Sequence, residues 1–110
     1  MSDAERWLRA RLADAPAELL EAMAAALPPE GGGSVADALA AGAVSLYAGL
    51  RHGSGGREDA LPLLAADALL THALEAQAEA DPDGVADFAG RWGAAGALGR
   101  LSAAAAPAPG

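Results

Sequence analysis

EDALPLLAADALLTHALEAQAEA, residues 58–80, is the stretch on which the fold turns. Pro62 falls in its first turn, where a missing N–H does no harm, and no later Pro or Gly interrupts it. Leu63, Leu70, Leu74 and Gln77 recur at helical spacing on one face, with Asp67 close to that face and Leu61, Leu64 and Leu69 on other sides. The spacing predicts a long helix whose broad apolar surface meets several neighbours.

Working outward, the flanking segments repeat this grammar. Val35, Leu39, Gly42, Ala43, Leu46 and Leu50 share one face of a predicted helix over 35–51, capped by Ser34 and stopped by His52-Gly53-Ser54-Gly55-Gly56. Pro28-Pro29-Glu30-Gly31-Gly32-Gly33 separates it from a helix over 15–27, with Asp14 as its expected cap, Pro16 in its first turn and Leu19, Leu20, Met23 and Leu27 at helical spacing. The first helix is expected over 3–13, opened by the capping box of Ser2 and Glu5 and striped by Trp7, Leu8 and Leu12. Downstream, Asp81-Pro82-Asp83-Gly84 ends the long helix, and Val85, Phe88, Ala89 and Trp92 gather on a helix over 82–92. A last stretch, 94–105, has only Leu98 and Leu101 as large apolars, and Gly90, Gly93, Gly96 and Gly99 recur through this region as either a close-contact groove or a broken helix end. No segment shows the alternation of a strand. The expected fold is therefore all-α: a compact bundle of about four to five helices with short Gly/Pro-rich loops. Residues 1–102 form a single helical domain and 103–110 a flexible Ala/Pro tail.

The composition qualifies this picture. Of the 58 residues behind the 53% hydrophobic content, 33 are Ala and only 25 are larger apolars. Ala is the best helix former but adds little hydrophobic stabilisation. The core is thus expected to be thin, and a thin core in a small domain is often supplemented by oligomerisation.

Lys, Ile, Asn and Cys are absent, and all seven basic residues are Arg. That inventory excludes a Schiff-base lysine, a phosphate-loop lysine, a thiol nucleophile, a disulfide and Cys-ligated zinc. The net charge of −8 opposes nucleic-acid backbones and anionic membrane surfaces. The start Met1-Ser2-Asp3-Ala4-Glu5 lacks the basic and apolar regions of a secretory signal, and every long apolar run contains a carboxylate. A cytoplasmic protein without membrane insertion is the expectation.

Candidate sites are few. His72, Glu75 and Glu79 lie on one face of the long helix, at a spacing from which imidazole and carboxylate could ligate a divalent metal or a small molecule. The Glu-x-x-His pairs of a di-iron bundle are missing, so no metal site is assigned. Asp67, set among leucines, either sits at the edge of the stripe and reaches water or pairs with Arg91 or Arg100 from the C-terminal segment. Asp67, His72, Glu75 and Glu79 are thus the candidate ligand-binding residues. Gly31-Gly32-Gly33-Ser34 precedes a helix, but no strand comes before it and no Lys follows, so it is read as a linker. None of the five serines sits in a nucleophile elbow. The first two helices imitate a helix-turn-helix, yet Glu18 and Glu21 occupy the would-be recognition helix.

No catalytic residue and no cofactor are assigned, and the chain is read as a non-enzyme. The expected function is that of a helical interaction or accessory protein that self-associates or joins a larger assembly. Trp7, Leu63, Leu70, Leu74, Phe88 and Trp92 are the candidate interface residues. The alternative is a small-molecule or metal-binding bundle that uses the polar face of residues 58–80.

Overall fold

A computed structural model describes residues 1–29, 33–53 and 55–105. The chain is an all-α bundle: α1 (Asp3–Arg11), α2 (Ala17–Ala25), α3 (Val35–Leu50), α4 (Ala60–Ala80), α5 (Val85–Trp92) and α6 (Ala97–Ala105). Single 3₁₀ turns at Arg57–Asp59 and Pro82–Gly84 lead into α4 and α5. The expected tail begins inside α6; residues 106–110 and the 30–32 part of the Gly-rich linker lie outside the described residues.

The caps explain where the helices begin. Ser2 Oγ accepts the backbone N–H of Glu5 at 3.1 Å, and Ser34 Oγ accepts that of Asp37 at 3.0 Å. Asp14 does not cap α2. That helix starts at Ala17 after Pro16, without a side-chain cap, because the turn through Asp14 separates it from α1. α1 is correspondingly shorter than expected and ends at Arg11.

α3 and α4 form the central pair, and α2 and α5 pack on α4. The pair is antiparallel: Tyr47 near the end of α3 meets Asp67 in the first half of α4, and Val35 and Ala36 at its start lie beside Ala76 and Ala80. The side that α3 presents to the core carries Ala36, Leu39, Ala40 and Ala43; that of α4 carries Ala65, Ala66, Leu69, Ala73 and Ala76, all buried. Small residues on both helices allow close approach. Gly42 shows how close: a Cβ there would lie 3.2 Å from Leu69 Cδ1 and 3.3 Å from the carbonyl oxygen of Ala26.

The largest fully buried side chains are Phe88, Leu8, Met23, Leu39 and Leu69, contributed by five different helices. Each of α1 to α5 is thus pinned to the centre by one large side chain, with alanines filling the space between. Most leucines of α4 are not among them. Leu61, Leu63, Leu64 and Leu74 are 37%, 47%, 55% and 40% exposed.

The recurring glycines after α5 are a helix break. A Cβ on Gly96 would collide with the carbonyl of Arg91, and one on Gly99 with that of Ala94. The chain folds back on its own backbone at these positions, whereas Gly90 has nothing near it that a groove would require.

Candidate functional site

Two groups of side chains on α4 stand out, on different parts of its circumference. One is polar and faces α1; the other is the leucine-bearing outer face.

The polar feature joins α1 to the C-terminal half of α4. Arg11 donates to Glu79 Oε1 and Oε2, both at 2.7 Å, and to Glu75 Oε2 at 3.2 Å. Its guanidinium lies 4.5 Å from the centre of the Trp7 ring, and Trp7 meets His72 edge-on with centroids 6.3 Å apart. His72 Nδ1 lies 3.1 Å from Glu75 Oε1 but is not aligned for a hydrogen bond, which leaves this buried nitrogen without a partner. His72, Glu75 and Glu79 therefore come together as their spacing anticipated, but around an arginine. Spacing along one helix could not reveal that Arg11, 64 residues from Glu75, would reach them. Among the described residues no group of three or more His, Asp or Glu side chains has a geometry that could hold a metal ion.

Asp67 stands apart from these three. Its partner is the Tyr47 hydroxyl, which donates to Asp67 Oδ1, and not Arg91 or Arg100. Burial and then the bond to the Asp67 carboxylate push the Tyr47 pKa up to about 12. Tyr47 flanked the apolar stripe of α3 in sequence, and only the antiparallel pairing of α3 with α4 brings it to Asp67.

Arg91 instead serves Asp37. Asp37 Oδ1 accepts Arg91 Nη1 at 3.0 Å and Trp92 Nε1 at 2.8 Å. Burial pushes the Asp37 carboxyl up, but hydrogen bonds from Trp92, Ser34 and Arg91 outweigh it and hold the carboxyl below its ordinary range. This carboxylate ties the start of α3 to the end of α5 and had no signal in the sequence beyond its place in a first turn.

The arginines of α1 are all engaged by carboxylates. Arg9 bridges Glu5 at 2.9 Å and Glu21 on α2 at 2.9 Å, and its hydrogen bond holds the Glu21 carboxyl below its ordinary range. Arg6 pairs with Asp3. No row of free guanidinium groups faces outward from α1.

An open cleft of about 760 Å³ lies between the start of α1, the start of α3 and Trp92. Its polar groups are already committed: Ser2 and Ser34 to their caps, Arg6 to Asp3, and Asp37 to Arg91 and Trp92.

The second feature is the outer face of α4. Leu63, Leu64 and Leu74 stand on it, with Leu70 half-buried at one edge and Leu61 at the other. Asp67 is the carboxylate at its middle, and the Thr71 hydroxyl is turned back to the Asp67 carbonyl oxygen at 3.0 Å. Of the candidate interface residues, Leu63 and Leu74 are exposed, while Trp7 and Trp92 are half-buried and hydrogen-bonded or stacked within the fold. Phe88 has no exposed surface: α5 turns it into the core beside Trp92.

No helix among the described residues is long and apolar enough to cross a membrane. No protein-family model matches this chain, and no curated protein or solved structure matches it significantly.

Proposed function

We propose that this chain is a non-catalytic helical interaction protein that binds a protein partner through the outer face of α4, as a self-associating unit or as a subunit of a larger assembly. The carrying observation is the four exposed leucines on the central helix, between 37% and 55% open to solvent, while alanines occupy that helix's buried side. Large apolar side chains grouped on one outward helix face are a feature of protein-interaction surfaces. Each leucine that leaves water on binding contributes about 1 kcal/mol, given that roughly half of each is already covered.

Two further observations support this reading over its alternatives. Glu75 and Glu79 are held by Arg11, so the polar face of α4 acts as a strut to α1 more readily than as a site for a small molecule or a metal. The arginines of α1 are neutralised by carboxylates, and the chain carries a charge of −8, which favours a protein partner over a nucleic acid.

The test is the triple variant Leu63→Ser, Leu64→Ser, Leu74→Ser. Its thermal stability is expected to stay close to that of the parent, because exposed side chains contribute little to the fold. Binding of the apolar dye ANS, and any association seen by light scattering, should fall at least fivefold. A variant that unfolds would assign these leucines to the chain's own core, and a parent that neither associates nor binds the dye would equally overturn the reading.

A further inference from the structure

We infer that the partner taken by the outer face of α4 is a single amphipathic helix of another protein, one that carries a cationic side chain, arginine or lysine, opposite Asp67. The inference rests on the proposed role of that face and adds the chemistry of the partner.

The face has the form of a seam for one helix. Ala60, Leu64, Asp67, Thr71, Leu74 and Ala78 are all exposed and follow one another in alternating steps of four and three residues. Such steps run nearly straight along a helix and are the spacing at which two helices interlock their side chains. Leu63 and Leu70 widen the seam along one edge. A helix of 21 residues is about 31 Å long and about 11 Å wide, so the strip offers roughly 350 Å² in plan. That is the footprint of one helix. It lies well below the ~800 Å² per partner of a standard interface, so the contact is a reversible one.

Asp67 specifies the charge of the partner. It stands between Leu64 and Leu74 on the seam, and a helix laid there takes its carboxylate out of water. A carboxylate so covered requires donors in place of that water, and a cation to offset its charge. This chain supplies one donor, the Tyr47 hydroxyl, and it is neutral. Arg6, Arg9 and Arg11 are engaged by Asp3, Glu5, Glu21, Glu75 and Glu79, and Arg91 by Asp37 and Asp87. Among the described residues no ion pair joins Asp67 to an arginine. The positive charge therefore comes from the partner. A second copy of this chain brings none, because the charged residue on its seam is Asp67 again. The surroundings act in the same direction: Glu79, Asp81 and Asp83 are exposed at the end of α4, and the net charge of −8 draws a cationic segment in and holds an acidic one off.

The probe is a labelled, helix-forming peptide of about 18 residues, with leucine and alanine at its seam positions and no net charge apart from its central seam residue. Three versions carry arginine, glutamine or glutamate there, and fluorescence anisotropy measures their binding to the full-length protein. The arginine peptide should bind with a Kd on the order of 10–100 µM, at least about fivefold more tightly than the glutamate peptide. Asp67→Asn keeps an oxygen that can accept from Tyr47 and should abolish this preference; Asp67→Arg should reverse it. The Leu63→Ser, Leu64→Ser, Leu74→Ser variant should weaken all three peptides. Equal binding of the three peptides, lost in the leucine variant, would overturn the inference while leaving the α4 face as the interaction surface. A preference for arginine that persists in Asp67→Asn would overturn it too, by assigning the attraction to the acidic chain as a whole. Self-association through this face that is tighter than binding of the arginine peptide would overturn it in favour of a second copy. Failure of the arginine peptide to bind at about 1 mM would also overturn it, and binding of all three peptides that survives in the leucine variant would overturn the underlying reading as well.

Discussion

The two sides of α4 invert the usual rule. Its inner side buries Ala65, Ala66, Ala73 and Ala76 around one leucine, Leu69; its outer side leaves Leu61, Leu63, Leu64 and Leu74 substantially exposed. A ranking by hydrophobicity would have reversed them. What decides is distance: α3 answers α4 with Ala36, Ala40 and Ala43, and Gly42 is already within 3.2 Å of a Leu69 methyl measured from an ideal Cβ. A helix pair lined by small side chains packs backbone close to backbone, which leaves no room for a row of leucines. Burial in this protein therefore follows shape complementarity, and the excess apolar surface is left exposed.

That contrast can be broken from the inside. Leu69→Ala should cost the fold about 3 kcal/mol, because it removes the large side chain at the centre of the α3–α4 contact and the alanines around it cannot fill the space. Leu64→Ala, on the outer side and 55% exposed, should change stability by less than about 0.5 kcal/mol. Urea denaturation of both variants measures the difference, and equal losses would mean that the outer side is packed as tightly as the inner.

Enlarging the inner side sharpens the same point. Ala40→Leu adds apolar volume to a fully buried position on the α3 surface facing the core, and it should destabilise by about 2 kcal/mol through overpacking. A gain in melting temperature would show instead that the alanine contact contains unfilled space.

A last effect, confined to alkaline pH, lies on the outer side, where Tyr47 of α3 donates to Asp67. The Tyr47 pKa is raised to about 12, first by burial and then by the bond to the Asp67 carboxylate. The native state therefore keeps the proton that an unfolded tyrosine releases near pH 10. This contribution is complete below about pH 10 and is lost as pH rises from about 10 towards 12. Because Tyr47 is the only tyrosine, its phenolate absorbance reports the titration without overlap. Tyr47→Phe should flatten the alkaline fall in stability over this window, and a parent that titrates as free tyrosine would exclude the effect.

How far these features could be read from sequence differs by residue. The capping roles of Ser2 and Ser34 were legible because a cap is a local pattern that ends within three residues. The failure of Asp14 as a cap was not, since the turn ahead of Pro16 depends on how α1 and α2 meet. His72, Glu75 and Glu79 were legible as a group from the helical period. That Arg11 and Trp7 close over the group was not, because α1 is distant in the chain. Asp67 was legible as a carboxylate at the edge of the leucine stripe, where it is exposed, but its bond to Tyr47 and not to Arg91 or Arg100 depended on the register of α3 against α4, to which helical periodicity is blind.

The amino-acid sequence by itself determined the helices, the serine caps and the Gly/Pro breaks, the thin alanine-rich interior and the acidic charge. All of these depend on residue type and near-neighbour spacing. Only the tertiary structure decided which side of α4 is inside. Both sides carry apolar residues at helical spacing, and the choice between them rests on how closely α3 can approach, a property of two helices and not of either one.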